Sequence, residues 1–211
     1  MTNDSKPLPK TGTPEVFQSR AILEIVDNFT DPKEVFREAI SNALDWGATN
    51  IKIRVFEDAR RNNELVFDLW DNGQGLNEER FKAFWNLAHS PGLAFDKVGR
   101  KIGGRTGEKG HGTKTYWKCR EIELESISTS DDGRGWYVVA LMREPIVTLR
   151  QQEKKPPYVY DDQYIDHQPT YTHITIRGYH AQSRENFRHD VLKDYILWFT
   201  KFGSIELELA R

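Results

Sequence analysis

Cysteine is nearly absent from this chain. A single cysteine, Cys119, among 211 residues excludes an intramolecular disulfide and fits a reducing compartment. It follows the apolar-aromatic stretch Tyr116-Trp117-Lys118, where a small buried thiol is expected rather than a nucleophile. Long hydrophobic runs are missing as well. No apolar stretch approaches the ~20 residues of a membrane span, and no charged-then-apolar signal opens the chain. Nor does one sign of charge dominate. Thirty basic residues against 32 acidic ones leave a net charge of -2, so nothing draws the whole chain to nucleic acid or an anionic membrane, although local basic patches stay open. These absences lead us to expect a soluble, cytoplasmic protein with no membrane partner. Its 211 residues suffice for one large domain with a real core.

The organisation along the chain is readable from local signals. Residues 1–14, rich in Pro, Lys, Thr and Ser, read as a flexible tail, and 15–211 as one domain. Val16 to Phe29 reads as a short helix. Asp31 as the N-cap, Pro32 at the first helical position, Glu34 in the first turn, and Val35, Phe36, Ala39, Ile40, Ala43 and Leu44 at helical spacing predict a second helix, which Gly47 closes. Alternation predicts strands at Asn50–Phe56 and Glu64–Trp70, and Asn77 caps a helix from about Glu78 to Ala88. Ser90 to Gly112 holds seven of the chain's 15 glycines and reads as a long functional loop. A helix over Thr113–Cys119 follows, then strands near Glu121–Ile127, Gly135–Met142 and Ile146–Gln151. Lys154–Gln168 reads as a polar insertion, Thr172–Arg177 as a strand, Asn186–Thr200 as an amphipathic helix and Ser204–Leu209 as a last strand. Helices lead and strands dominate later, which argues against a doubly wound parallel sheet. The expected fold is α+β: a two-layer sandwich with a mixed, mostly antiparallel sheet and helices on one face.

Three motifs carry chemistry. In Glu38-x-x-x-Asn42-x-x-Asp45, offsets of four and three place three polar residues on one stripe of the second helix. A solvated helix face gives a similar pattern, but Asn is a poor helix former and needs a reason in a helix interior. Asp71-Asn72-Gly73-Gln74-Gly75 follows an apolar strand. It reads either as a plain turn or as a carboxylate facing a pocket beside glycines that admit a planar ligand. The third is Gly107-Glu108-Lys109-Gly110-His111-Gly112-Thr113-Lys114. It has the glycine spacing of a phosphate-cradling Walker A loop, but Thr and Lys stand in the opposite order and no buried strand precedes it. Freed glycine amides and a helix start near Gly112 would still suit an anion, and a flexible linker is the alternative.

In this order and spacing the three motifs resemble the ATP-binding motifs of the GHKL superfamily, which includes gyrase, the ATP-dependent heat-shock chaperones, sensor histidine kinases and MutL. The likeness spans roughly residues 30 to 178. It implies a Bergerat-type sandwich with a glycine-rich ATP lid over about residues 90–112. It also implies Glu38 as the catalytic carboxylate that polarises water, Asn42 as the Mg²⁺ ligand and Asp45 as a pocket-lining residue. Asp71 would accept from the adenine amino group, with Gly73 and Gly75 beside the base. Gly107, Gly110, His111, Gly112 and Thr113 would form the phosphate-contacting end of the lid, and Thr172 would lie near adenine. Tyr171 departs from the Gly that the family usually has before that Thr. Lys109 and Lys114 are either γ-phosphate ligands or solvated lid lysines.

The resemblance implies Mg²⁺-dependent ATP hydrolysis coupled to lid closure, an ATP-dependent homodimer, and a protein or DNA client. The presence of Glu38 favours ATPases over histidine kinases of this fold. His111 is expected to be a lid residue rather than a phospho-acceptor. Histidine-kinase-type phosphotransfer is one alternative. A non-hydrolysing ATP sensor is another, since the family's catalytic lysine from a following transducer domain has no counterpart before Arg211. Trp70, Trp85, Trp117, Trp136 and Trp198 lie singly on different elements and are expected to pack rather than to stack on nucleic acid.

Overall fold

The computed structural model describes residues 17–86, 94–95, 101–102, 112–130, 132–180 and 184–200. Helices α1 (Gln18–Asn28) and α2 (Glu34–Asp45) lead. Strands β1 (Ile51–Asp58) and β2 (Glu64–Asp71) follow, then α3 (Glu78–Trp85) and the two-residue pair β3 (Ala94–Phe95) and β4 (Lys101–Ile102). A 3₁₀ segment spans Gly112–Trp117, and after it come β5 (Glu121–Thr129), β6 (Gly135–Arg143) and α4 (Pro145–Gln151). The chain then forms β7 (Tyr158–Ile165), β8 (Tyr171–Arg177) and α5 (His189–Phe199). The expected tail and the expected strand at 204–209 lie outside the described residues, as does most of the expected lid.

Six strands make one sheet in the order β1-β2-β8-β5-β6-β7, and each of these ladders is antiparallel. The parallel component expected from sequence is absent among the described strands. The late strand β8 inserts between β2 and β5, which makes Asp71 and Thr172 cross-strand neighbours although they stand far apart in the chain. Alternation divides the sheet into two faces. Leu65, Phe67 and Leu69, Ile122 and Leu124, Val138, Ala140 and Met142, and Ile174 and Ile176 are buried together with Val26, Phe36, Phe81, Trp85, Leu149 and Leu192 of the helices. Phe67 is central to this core, its ring 4.9 Å from those of both Phe36 and Phe187. The opposite face is polar. There Glu121 meets Arg61 and Arg143 at 3.2 Å each, and Asp68 bonds Arg54 and His173.

Two expected elements change identity. Ile146–Gln151 is helical, not extended. Its β-branched Ile146-Val147-Thr148 run suggests a strand, but Pro145 occupies the first helical position, and Ile146 and Leu149, three apart, both bury against the core. The supposed polar insertion contains β7, whose polarity follows from its place at the sheet edge. Its Tyr158 stacks on Trp85 at 4.7 Å, while Val159 is 68% exposed. Smaller boundaries shift too. Asp31 accepts a hydrogen bond from the Lys33 amide, and α2 proper begins at Glu34, after a first turn that contains Pro32.

Cys119 is fully buried, and burial pushes its thiol above the usual range, in keeping with a packing role. Trp85, Trp117 and Trp136 are buried as expected, whereas Trp198 is exposed. No helix among the described residues is long and apolar enough to cross a membrane.

Candidate functional site

Helix α2 supplies the first wall. Val35, Phe36, Ile40 and Ala43 bury one stripe, and Glu38, Asn42 and Asp45 stand half-buried on the neighbouring one. Burial raises the Glu38 carboxyl above the ordinary glutamate range, opposed by Arg37, whose guanidinium donates to Glu38 Oε1 at 2.9 Å. Glu34 and Asp45 add to the rise.

The second wall is the end of β2 with the turn after it. Asp71 closes the strand opposite Thr172 of β8, so two distant motifs meet through a ladder pair. Burial pushes the Asp71 carboxyl up to about 6, and the Gly73 amide, donating to its Oδ1 at 2.8 Å, pulls the other way. The turn is fixed on several sides. Asn72 Oδ1 accepts from the Thr49 and Asn50 amides at 2.9 and 2.7 Å, so this side chain anchors the loop. Thr170 Oγ1 donates to the Gly73 carbonyl at 2.7 Å. Ser126 Oγ accepts from the Leu76 amide and donates to the Tyr171 carbonyl. Gly75 has φ +65°, and a Cβ there would lie 1.9 Å from the Ile127 carbonyl oxygen, so close approach of β5 already demands glycine at this position.

The third wall is the 3₁₀ segment that begins at Gly112, where sequence suggests a helix through Cys119. Its six residues are short for an α-helix, and the Thr115 hydroxyl closes the turn on the Gly112 carbonyl at 2.7 Å. A Cβ at Gly112 would fall 2.1 Å from Glu38 Oε2. The glycine-rich motif therefore ends directly against the α2 carboxylate. Thr113 donates its hydroxyl to the Phe84 carbonyl at 2.8 Å, and Lys114 Nζ reaches the same carbonyl at 2.9 Å. Lys114 is neither a solvated lysine nor turned toward the acidic walls. It is wholly buried, and burial alone lowers its ammonium to about 7. Gly107, Lys109, Gly110 and His111 lie outside the described residues.

Glu38, Asn42, Asp71, Thr172 and Gly112 thus come together from four elements. The sequence reading missed Arg37, Ser126, Thr170 and Tyr116. Arg37 is legible as the cation beside Glu38, but the other three are single polar groups in strand, loop or aromatic contexts without a pattern. An open hollow on the polar sheet face, over Val139, Leu141 and Val159, contains none of the site residues.

Among the described residues no cluster of three or more His, Cys, Asp or Glu would hold a metal by itself. Asn42 and Glu38 offer hard oxygens, suited to a cation such as Mg²⁺ that keeps waters and takes its other ligands from phosphates. The Tyr116 hydroxyl is buried beside Asn42 with no hydrogen-bond partner, and the Gly112 backbone is open to Glu38. Both features fit a phosphate–metal end. No curated protein matches the chain. The family of histidine kinase-, DNA gyrase B- and HSP90-like ATPases matches residues 30–155, more than half of the sequence, and the chain belongs to that family of ATP-binding domains.

Proposed function

We propose that the chain is an Mg²⁺-dependent ATPase module, with the nucleotide lying between α2, the ends of β2 and β8, and the segment that starts at Gly112. The observation that carries the proposal is the approach of Gly112 to the Glu38 carboxylate, one helical turn from Asn42. Asp71 accepts the adenine amino group, beside Gly73 and Gly75, and Thr172 lies next to it. With its carboxyl near 6, Asp71 is mostly ionised at neutral pH and can accept. Asp45 lines the same pocket. Glu38 orients a water toward the terminal phosphate and takes its proton. Its raised affinity for protons suits a base, and Arg37 holds one of its oxygens. Asn42 is the residue to hold Mg²⁺, which when bound supplies charge neutralisation on the phosphate oxygens. The amides of Gly107, Gly110, His111, Gly112 and Thr113 spread over the phosphate charge. Closure of this glycine-rich segment then favours dimerisation and engagement of a protein or DNA client.

The test is Glu38→Ala. Calorimetry should give an ATP affinity within about threefold of the parental protein, and phosphate release should fall by at least about a hundredfold. Parental turnover in this variant removes the general-base role. The ATP-bound variant is also the species in which dimers should accumulate. A light-scattering mass that stays at one chain with ATP removes dimerisation from the proposal.

A further inference from the structure

Among the described side chains wholly removed from solvent, Tyr116 is the largest, and its hydroxyl is an orphan. It stands four residues after Gly112 in the same 3₁₀ segment. Its ring packs beside Phe84, with the centroids 6.0 Å apart, so the position of Oη is set by the core. The surroundings of that oxygen are those of the site. The Asn42 side chain adjoins it, and the Glu38 and Asp71 carboxylates reach it electrostatically. Yet no group meets Oη in full hydrogen-bonding geometry, although the Asn42 side chain is near enough to act on it. Burying a hydroxyl without a partner opposes folding, and phenylalanine would fill the same space. The oxygen therefore needs a reason that packing does not supply.

Asn42 provides one. An asparagine amide has two nearly isosteric orientations, and only one turns Oδ1 toward a metal. The Glu38 and Asp71 carboxylates draw the phenolic proton to their side and leave the lone pairs of Oη for the amide N–H. We propose that Tyr116 is a positioning residue for Asn42: its hydroxyl accepts a hydrogen bond from the Asn42 side-chain amide and so presents the amide oxygen to Mg²⁺ at the phosphate end of the nucleotide. The assignment rests on the Mg²⁺–ATP reading of the site. The assignment gives Tyr116 no contact of its own with the base or the reacting phosphate, so its effect is confined to metal-dependent binding.

The experiment is Tyr116→Phe, which keeps the ring and removes only an oxygen without a partner, so the variant is expected to fold. Affinity for ATP is measured by calorimetry with EDTA and with Mg²⁺, and ligand-free stability by urea unfolding. We expect an unfolding midpoint equal to or above the parental one, unchanged affinity for ATP in EDTA, and a loss of about tenfold in the enhancement that Mg²⁺ brings. An Mg²⁺ enhancement that survives in Tyr116→Phe overturns the role of Tyr116 alone. A lower midpoint with equal losses in EDTA and in Mg²⁺ also overturns it, because it marks a structural role. A parental protein that binds no ATP refutes the nucleotide reading, and this assignment with it.

Discussion

Asp71 shows how a single residue can be set against the stability of the chain. Its half-buried carboxyl titrates near 6, well above the 3.8 of an unstrained aspartate, because burial disfavours the charge more than the Gly73 amide favours it. As pH rises from about 4 to about 6, the unfolded chain gives up this proton while the folded one keeps it. Stability from this residue is therefore full at acid pH and lost as pH climbs through the folded value. Asp71→Asn retains an oxygen for the Gly73 amide and has no charge to bury. Urea unfolding should find the variant more stable at pH 7, by on the order of 1–2 kcal/mol, and equal to the parental protein near pH 3. ATP binding should be lost in the same variant, and in the parental protein it should weaken as pH falls through 6. Equal stability of the two proteins at pH 7 would contradict the burial cost. Retained ATP affinity would contradict the adenine contact. The position of Asp71 after an apolar strand is legible in sequence, but its displaced titration is not, because desolvation depends on what covers the carboxyl.

At the scale of elements, the junction between α2 and the 3₁₀ segment decides the site. Sequence spacing places Glu38, Asn42 and Asp45 on one stripe, since helical geometry is local. It also marks Gly112, but for freed backbone amides. The visible constraint is steric: a side chain at 112 would occupy the space of the Glu38 carboxylate. Because that carboxylate ends a flexible side chain, Gly112→Ala should cost less than about 1 kcal/mol of stability. It should leave ATP binding largely intact and slow hydrolysis at least tenfold by moving Glu38 out of line. Calorimetry, unfolding and phosphate release on one preparation separate these effects, and undiminished turnover would mean that Glu38 does not act from this position. The elements misread from sequence fail for a related reason. In Ile146–Gln151 the pull of β-branched residues toward extension is overridden by burial of Ile146 and Leu149 on one side of a turn. In β7, exposure at the sheet edge erases the apolar alternation by which strands are recognised.

The whole molecule is a sheet with one apolar and one ionic face, and the ionic face contributes its own pH dependence. Glu121 opens β5 at one end of that face, 4% exposed, within 4 Å of Arg61, Arg120, Arg143 and Arg177. Burial would raise its carboxyl. The Arg143 hydrogen bond, the Arg120 charge and the Arg61 contact outweigh burial and hold it below the usual range. Its contribution is therefore present at neutral pH and disappears as pH falls through that lowered value, the reverse of Asp71. Glu121→Gln leaves several cations crowded without their counter-charge. It should lose about 2 kcal/mol at pH 7, between the values of exposed and buried pairs, and less at pH 3. Denaturant titrations at the two pH values check this, and equal losses at both would mean that shape rather than charge matters at 121.

What the sequence determined by itself is what local chemistry can carry: the α+β class, the capped helix with its polar stripe, the turn after β2 and the motif order that marks the family. Each depends on residues within a few positions of one another. The tertiary structure decided which of these meet. Insertion of β8 beside β2 brings Thr172 to Asp71, and the return of the chain after the glycine-rich segment brings Gly112 to Glu38 and the Tyr116 hydroxyl to Asn42. It likewise sends Lys114 into the core, onto the Phe84 carbonyl, although its place in the motif suggested a phosphate ligand. Strand order and burial are long-range properties, fixed by how the apolar faces close on one another, and no spacing along the chain encodes them.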